Sequence, residues 1–413
     1  MQAADQGTLG QAIADRLVEL AAVSDEPSRL TRLYLGPGHR KAADLVARWM
    51  REAGMTTRID ALGSVVGRYR ARDSGPLTLM LGSHIDTVRD AGRFDGALGV
   101  VAAIEVVKAA FKSGKRFPFA IEVIAFGDEE GVRFASTLGG AKALVGRFDS
   151  KALDEIGDDG VSRRQALKAF GCDASRIAEE ALSPDRALGY VEVHIEQGPV
   201  LEEEGLPVGI VTAIDGVTRG AVEVDGVAGH AGTVPMPMRN DALAAAAEML
   251  LAVEARARTR SNLVATVGKM EVPGSAANTI PGRVRFTLDI RSPSDQERMS
   301  AVNDITEAIA AIAQRRGVTA RLLIGHEVAA AVCDDQLSDQ LAQAIESFGL
   351  TPRRLPSGAG HDAMAFDRII PFAMLFVRCR GGVSHNPAEF ASPDDIDIAA
   401  RVLANFLDRI GPQ

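Results

Sequence analysis

The sequence has little that points to a membrane or to disulfide bonds. Its three cysteines, Cys172, Cys333 and Cys379, lie far apart and form no CxxC pair, which predicts free thiols. No apolar run approaches the length that crosses a bilayer. The opening stretch MQAADQGTLGQAIADRL lacks the basic segment and apolar core of a signal peptide. We therefore expect a cytoplasmic protein with no membrane partner.

Basic residues are outnumbered by acidic ones. There are 46 lysines and arginines against 55 acidic residues, so the net charge is −9, and no basic tail or stripe is present. This balance argues against nucleic acid as a partner. A small anionic substrate is still compatible with it, because one local arginine is enough to bind such a molecule. With 413 residues, 46% of them hydrophobic, the chain is long enough for two globular domains.

The first half of the chain alternates helical and strand patterns. LGQAIADRLVELAAV and GHRKAADLVARWMREAG are amphipathic, whereas LTLMLGSHIDT and FPFAIEVIAF are apolar runs of strand length. The segment GALGVVAAIEVVKAAFKSG between these two runs has the pattern of a buried helix. Alternating strands and helices predict an α/β domain whose functional groups gather beyond the carboxyl ends of parallel strands.

The pattern changes near residue 214. A strand GVTRGAVEVDG is followed by a helix at about 238–258, the strands NLVATVGKMEV and RVRFTLDIR, a helix at about 294–316 and the strand TARLLIG. This order is β-α-β-β-α-β, and it predicts a second domain inserted into the first. We expect a discontinuous domain of residues 1–213 and 329–413, and an inserted domain of residues 214–328. The polar segment 149–189 is interpreted as an insertion of the first domain.

Imidazoles and carboxylates follow several predicted strands of the first domain. They are His84 in GSHIDTV, Asp95 in GRFDGALGV, Glu129 and Glu130 in AFGDEEGV, His194 in YVEVHIEQGPV and His385 in RGGVSHNPAEF. Such groups are ligands of divalent metals such as zinc, and a shared carboxylate allows two ions about 3.5–4 Å apart. Each residue alone is more often an ordinary loop residue. Their joint occurrence at one sheet edge favours a metal centre, since uncompensated buried carboxylates are costly.

The motifs GSHIDTV, GRFDGALGV, GDEEGVRF, HIEQGPVLE, GHAGTVPM, SGAGHDA and GGVSHNPAE occur in this order along the chain. In order and spacing the sequence resembles, over nearly its whole length, the hydantoinase/carbamoylase-type amidases, relatives of the binuclear-metal exopeptidases. The resemblance implies an α/β, aminopeptidase-like mixed sheet with helices on both faces. It also implies that the insert is a ferredoxin-like lid and dimerisation domain, so that the protein is a homodimer.

The resemblance further assigns the metal centre. Asp95 would bridge two metals, one completed by His84 and His194, the other by Glu130 and His385. Asp86 would orient His84 through its second ring nitrogen. Glu129 would be the general base that takes a proton from a water molecule activated by the metals. We expect an extended backbone here, which would turn Glu129 and Glu130 to opposite sides, and Asp128 is expected to cap the turn.

Substrate-binding residues are also implied by the resemblance. They are His230, which would polarise the scissile carbonyl, Asn278 and Arg291, which would hold a carboxylate, Gln197, and the stretch with Gly358, Gly360 and His361. Arg291 is equally compatible with a surface salt bridge, and His361 with a structural role. The ligand set admits manganese, which is favoured, or zinc, cobalt or nickel.

The implied activity is hydrolysis of a ureido group on a small carboxylate substrate. LTRLYLGPGHRKAADLVARWMREAGM looks more like allantoate amidohydrolases than like N-carbamoyl-L-amino-acid hydrolases, which are the alternative. A metallo-exopeptidase is less favoured, because His194 stands where exopeptidases normally have Asp or Glu. A metabolite-binding relative without activity is disfavoured by the intact Glu129 and the full ligand set.

Overall fold

The computed structural model describes residues 8–73, 75 and 77–410. The prediction about a signal peptide concerns in part residues 1–7, which lie outside the described residues. The chain forms two compact units. Unit 1 comprises Met1–Thr212, Cys333–Leu355 and His361–Gln413, and unit 2 comprises Ala213–Val332 and Pro356–Gly360. Among the described helices, none is long and apolar enough to cross a membrane.

The helices and strands follow the sequence patterns closely. In chain order they are α1 Leu9–Ala21, α2 Pro37–Glu52, β1 Thr56–Ile59, β2 Val65–Tyr69, β3 Thr78–His84, α3 Ala97–Lys112, β4 Ala120–Phe126, α4 Gly139–Leu144, α5 Arg163–Phe170, β5 Ala187–Ile195, α6 Val200–Glu203, β6 Val208–Ile214, β7 Gly216–Asp225, β8 Gly229–His230, α7 Ala242–Ala257, β9 Val264–Thr266, β10 Met270–Glu271, β11 Thr279–Ile280, β12 Arg283–Ser292, α8 Asp295–Arg316, β13 Thr319–Val328, β14 Ala331–Val332, α9 Asp335–Glu346, β15 Arg354–Ser357, β16 Phe372–Val377 and α10 Pro393–Arg409. Short 3₁₀ helices connect several of them.

Unit 1 is built on a mixed sheet with the strand order β1-β2-β4-β3-β5-β16-β6. Its four central strands, β4, β3, β5 and β16, are parallel, and the outer strands are antiparallel. Every residue of β3 is buried, as expected for a strand covered on both faces. Since His84 pairs with Phe126 and His194 with Phe376, both histidines lie at the carboxyl edge of the sheet.

Unit 2 has the predicted β-α-β-β-α-β order. Its main sheet has the strand order β10-β12-β7-β13, with β9 also paired to β12, and α7 and α8 pack on one face. The single strand predicted for NLVATVGKMEV is wrong, because the chain forms β9 and β10 with an interruption at residues 267–269. Pro356–Gly360 also groups with unit 2, although the sequence placed this stretch in the first domain.

The segment 149–189 belongs to unit 1 and holds the acidic loop that follows β4. Arg163 of α5 is fully buried, and its guanidinium donates to Asp128 Oδ2 at 2.5 Å and to the Ser136 carbonyl at 2.6 Å. Glu155 of the same segment accepts from the Ser136 N–H at 3.1 Å. The Leu138 N–H donates to the Asp128 carbonyl at 2.7 Å, which closes the loop at its base. Asp128 therefore lies in a turn, as expected, and it also forms a buried ion pair with Arg163.

We predict that Arg163→Met destabilises the protein by about 3–5 kcal/mol, because the Asp128 carboxylate is left buried without its partner. The double variant Arg163→Met/Asp128→Asn removes both charges and should recover a large part of this loss. Urea unfolding followed by circular dichroism measures both effects. Arg164→Met is the matched control, since Arg164 pairs with Asp154 at the surface and its loss should cost about 0–1 kcal/mol. Equal unfolding midpoints for Arg163→Met and Arg164→Met would contradict the structural role of the buried pair.

Candidate metal centre

His84 and His194 lie at the carboxyl edge of the sheet, and both use the Nδ1 atom to contact a backbone carbonyl. The Nδ1 atom of His84 lies 3.1 Å from the Asp86 carbonyl, and that of His194 lies 2.9 Å from the Ile195 carbonyl. A carbonyl oxygen accepts hydrogen bonds, so Nδ1 carries the proton in both rings. The neutral form of each ring then has its lone pair on Nε2, which is the form of imidazole that binds metals. In His194 this atom accepts from the Gly96 N–H at 3.2 Å.

Asp95 lies between two groups of candidate ligands and turns one oxygen to each. Its Oδ1 atom is 3.6 Å from His84 Nε2 and 3.2 Å from His194 Nε2. Its Oδ2 atom is 3.2 Å from His385 Nε2, which is itself 3.6 Å from Glu130 Oε2. The structure thus brings together all five predicted ligands in two sets that share one carboxylate.

Two glycines allow Asp95 to approach the histidines. Gly96 has a φ of 64°, and a Cβ atom there would lie 2.5 Å from ring atoms of His84. A Cβ atom at Gly99 would lie 2.1 Å from the Val193 carbonyl. Helix α3 therefore begins in close contact with β5, and the sequence DGALG is what permits it.

Glu389 is a site residue that the sequence analysis missed. It is buried, and its Oε1 atom accepts from the N–H groups of Phe94 and Asp95 at 2.8 and 3.0 Å. Ser384 Oγ lies 3.0 Å from Glu389 Oε2 and 3.2 Å from Asp95 Oδ2. Glu389 consequently ties the loop of the shared carboxylate to the loop of His385. The only sequence signal was its place in SHNPAEF, four residues after His385.

Gln197, which the family resemblance makes a substrate contact, lies beside Asp95. Its Nε2 atom donates to Asp95 Oδ2 at 3.1 Å and to Ser384 Oγ at 3.0 Å. Among the described residues, its buried Oε1 atom has no hydrogen-bond partner. The amide thus orients the shared carboxylate, and its oxygen is the part left to accept from a substrate.

The prediction of an extended backbone at Glu129 and Glu130 is wrong. Strand β4 ends at Phe126, and the chain then bends. The N–H groups of Glu129 and Glu130 both point at the Asp86 carboxylate, with N···O distances of 3.2 Å to its two oxygens. Consecutive N–H groups can converge on one anion only where the backbone leaves the strand conformation. Both side chains therefore turn to His84, and their carboxylates lie within 4.8 Å of its ring nitrogen.

Asp86 connects this loop to the first metal ligand. Besides holding the N–H groups of the acidic loop, its Oδ1 atom lies 3.5 Å from His84 Nδ1. The position is compatible with the orienting role that the family resemblance implies for Asp86. It also shows a second task, since the same carboxylate fixes the backbone that carries Glu129 and Glu130.

Charge is concentrated in this centre. Burial raises the pKa of the Glu129 carboxyl well above its ordinary value, with His84 opposing the rise and Glu130 adding to it. Burial, and then Asp95, raise the pKa of Glu130 to about 7. Burial alone would also raise the pKa of Asp95, but His194, His385 and His84 hold it well below its usual range. Such carboxyls are ionised together only beside cations.

His361 lies against His194 in unit 1. The two rings are 4.5 Å apart and edge-on, and burial lowers the pKa of His361 well below its usual value. Glu192, His194 and His361 form a further group whose ligand atoms lie within 4.8 Å of one another. Because the Nδ1 atom of His194 is engaged by Ile195, this group would compete with the first set for its Nε2 atom.

The donor set fits two divalent ions. Four-coordinate ions with bonds of about 2.1 Å hold their ligand atoms about 3.4 Å apart, and the nitrogen–oxygen distances around Asp95 are 3.2–3.6 Å. One ion would be held by His84, His194 and Asp95 Oδ1. The other would be held by His385, Glu130 and Asp95 Oδ2, which leaves Glu129 beside the pair.

Unit 2 contains His230, Asn278, Arg291, Gly358 and Gly360. His230 pairs with Thr279 across β8 and β11, which brings it next to Asn278. His230 Nδ1 accepts from the Gly232 N–H at 3.1 Å, so Nε2 carries the proton. Arg291 donates to both oxygens of Asp289 at 2.7 and 3.0 Å and to the Gly358 carbonyl at 2.6 Å.

A model of peptidase family M20/M25/M40 matches residues 80–409. Allantoate deiminase 1 of Glycine max is 42% identical over 96% of this chain and 88% of its own length. N-carbamoyl-L-amino acid amidohydrolase of Geobacillus stearothermophilus is 40% identical over 95% of this chain and 97% of its own.

Among solved structures, a hydantoinase/carbamoylase-family amidase from Burkholderia multivorans is 32% identical, with a TM-score of 0.91 over 96% of this chain and 97% of its own. The match confirms the predicted fold class, a mixed α/β fold of the aminopeptidase type. The family resemblance expected from the motifs is likewise confirmed. The chain belongs to peptidase family M20/M25/M40 and, within it, to the hydantoinase/carbamoylase amidases.

Proposed function

We propose that this protein is a binuclear-metal amidohydrolase that cleaves a ureido C–N bond of a small carboxylate substrate, with allantoate favoured. The observation that carries the proposal is the position of Asp95, whose two oxygens face two separate sets of ligands with Glu129 beside them. The released products would be ammonia, carbon dioxide and ureidoglycine or ureidoglycolate.

The chemistry depends on a proton transfer by Glu129. Two bound metal ions would polarise the ureido carbonyl and acidify the attacking water. Glu129 then accepts the proton of that water on a carboxylate oxygen and delivers it to the leaving nitrogen. Burial raises the pKa of the Glu129 carboxyl, so it holds a proton more readily than an exposed carboxyl does, which suits it to accept the proton and pass it on.

Unit 2 supplies the substrate-binding groups of the proposal. The Nε2–H of His230 is available to donate to the oxygen of the ureido carbonyl as negative charge develops there. Arg291 and Asn278 would hold the substrate carboxylate, with backbone N–H groups near Gly358 and Gly360. Asp289 already occupies one side of the Arg291 guanidinium, so the carboxylate would use the N–H groups at its other end.

Manganese is the favoured metal, with zinc, cobalt or nickel compatible with the same mixed nitrogen and oxygen ligands. We place the enzyme in the cytoplasm. Its three cysteines are free, as is usual for proteins of a reducing compartment.

The second candidate is hydrolysis of N-carbamoyl-L-amino acids. The relatives named for the two activities are 42% and 40% identical to this chain, so overall similarity does not separate them. A metallo-exopeptidase is less favoured because His194 is an imidazole ligand where exopeptidases normally use a carboxylate. A metabolite-binding protein without activity is disfavoured by the complete ligand set and Glu129.

The proposal is tested by measuring ammonia release from a panel of substrates with metal-reconstituted enzyme. The panel contains allantoate, N-carbamoyl-L-methionine, N-carbamoylglycine and a dipeptide. We expect metal-dependent turnover with the highest kcat/KM for allantoate. A clear preference for N-carbamoyl-L-methionine would assign the protein to the alternative activity, and turnover of the dipeptide alone would contradict both.

Glu129→Gln should retain metal content close to that of the wild type and lose roughly 10²–10⁴-fold in kcat, the range for general acid–base catalysis. Plasma emission spectrometry gives the metal content, and steady-state kinetics give the turnover. Glu122→Gln on β4 is the control, because Glu122 pairs with Arg68 away from the centre. Wild-type turnover in Glu129→Gln would show that another group moves the proton.

We also propose a homodimer formed through unit 2. Strand β13 lies at the end of its sheet, and Leu323 and Ile324 on it are about half exposed, at 48% and 47%. An open edge with apolar side chains favours pairing with a second copy. Light scattering at micromolar concentration should give twice the chain mass, and Leu323→Lys should shift the protein to the monomer. A monomeric wild type would contradict the proposal.

A further inference from the structure

We propose that Asp215 of unit 2 determines substrate specificity by accepting the N–H groups of a second polar arm carried by the same carbon as the substrate carboxylate. The inference rests on the proposed function, because it assumes that Arg291 binds that carboxylate. Asp215 would be the residue that distinguishes an acid with two ureido arms from an acid with an apolar side chain.

Asp215 is a buried acceptor with unused capacity. Its exposed fraction is 7%, and its Oδ1 atom has no hydrogen-bond partner among the described residues. Buried carboxylates are normally satisfied by several donors, and one left unpaired weakens the fold. Groups of this kind are concentrated at binding sites, where a ligand completes their hydrogen bonds.

Asp215 and Arg291 are attached to the same short stretch of chain. The Asp215 N–H donates to the Ser357 carbonyl at 2.8 Å, and Arg291 Nη1 donates to the carbonyl of the next residue, Gly358, at 2.6 Å. In the sheet, Arg291 lies opposite Val217, two residues after Asp215. The two side chains are near enough for the charge of Arg291 to act on Asp215: burial raises the pKa of Asp215 to about 7, and Arg291 opposes the rise.

The hydrogen bonds of Arg291 go to acceptors other than Asp215. Three of its five N–H groups are engaged, two by Asp289 and one by Gly358. The other two, one on each terminal nitrogen, suit the two oxygens of one carboxylate. Arg291 therefore offers two N–H donors to an anion. Asp215, an acceptor whose Oδ1 atom has no partner among the described residues, lies near them.

This arrangement matches an acid whose α-carbon carries both the carboxylate and an N–H-bearing arm. When the carboxylate binds Arg291, the second arm starts one bond away from it and lies within reach of Asp215. A ureido arm has N–H groups that a carboxylate accepts. A hydrocarbon side chain at the same position would leave Asp215 unpaired, and sites built to hydrogen-bond a substrate reject analogues that lack the group.

The experiment compares the wild type, Asp215→Ala and Asp215→Asn on three acids: allantoate, N-carbamoylglycine without a second arm, and N-carbamoyl-L-leucine with an apolar arm. Asp215→Ala should lose about 10- to 100-fold in kcat/KM toward allantoate, the effect of one buried hydrogen-bond partner. It should change little toward N-carbamoylglycine and improve toward N-carbamoyl-L-leucine. Asp215→Asn keeps one acceptor oxygen and should lose less than Asp215→Ala.

Asp225→Ala is the matched control, because Asp225 lies at the far end of β7 and pairs with Arg283. It should leave the order of the three substrates unchanged. The melting temperature of Asp215→Ala should equal or exceed that of the wild type, since an unpaired buried carboxylate is removed. An equal loss toward all three acids together with a lower melting temperature would overturn the inference and assign Asp215 a role in folding.

Failure of the proposed function gives a different result. If the metal-loaded wild type releases ammonia from none of the three acids, the hydrolase proposal fails, and calorimetric binding of the same acids decides about Asp215. Weaker binding of allantoate to Asp215→Ala, with unchanged binding of N-carbamoylglycine, would support the specificity role. Equal binding of allantoate by both proteins would overturn it.

Discussion

The site in unit 1 depends on one buried carboxylate that faces two ways. Asp95 has an oxygen within 3.2–3.6 Å of His84 and His194, and its other oxygen lies 3.2 Å from His385. A carboxylate can serve two metals only if both of its oxygens are fixed in direction. The glycines after it, the N–H groups held by Glu389 and the amide of Gln197 all act on this one orientation.

The carboxylates concentrated around Asp95 explain why so many neighbouring groups are placed to stabilise negative charge. Asp86 is held by the N–H groups of the acidic loop, and Asp128 is paired with the buried Arg163. Arg32, also buried, donates to the Ile85 carbonyl between His84 and Asp86, and burial lowers its pKa to about 10 against the pull of Asp86. Behind the centre, Asp362 is fully buried, and burial and then Glu192 raise its pKa well above the ordinary value. Burial raises the pKa of Asp128 to about 7, and the charge of Arg163 opposes that rise.

The clustering of the candidate ligands could be predicted from the sequence because each follows a strand of one parallel sheet, and the carboxyl ends of such strands meet. His84, His194 and His385 needed only this rule and their residue type. Glu389 and Arg163 could not be found in this way, since their partners Asp95 and Asp128 are distant in sequence and the contacts exist only in the folded chain. The bend at Glu129 was missed for a related reason: it is imposed by Asp86, 43 residues earlier, and not by the local sequence.

Substrate choice is a separate problem, which the metal ligands do not address. Relatives named for allantoate and for N-carbamoyl amino acids match this chain almost equally, as expected if both reactions use the same proton transfer. The difference must then come from groups that touch the part of the substrate that does not react. In unit 2, Arg291 already donates two hydrogen bonds to Asp289, so a substrate carboxylate would share the guanidinium with that residue. A carboxylate contact is common to all of these acids, so under the proposed function a neighbouring unpaired acceptor such as Asp215 would decide which of them is preferred.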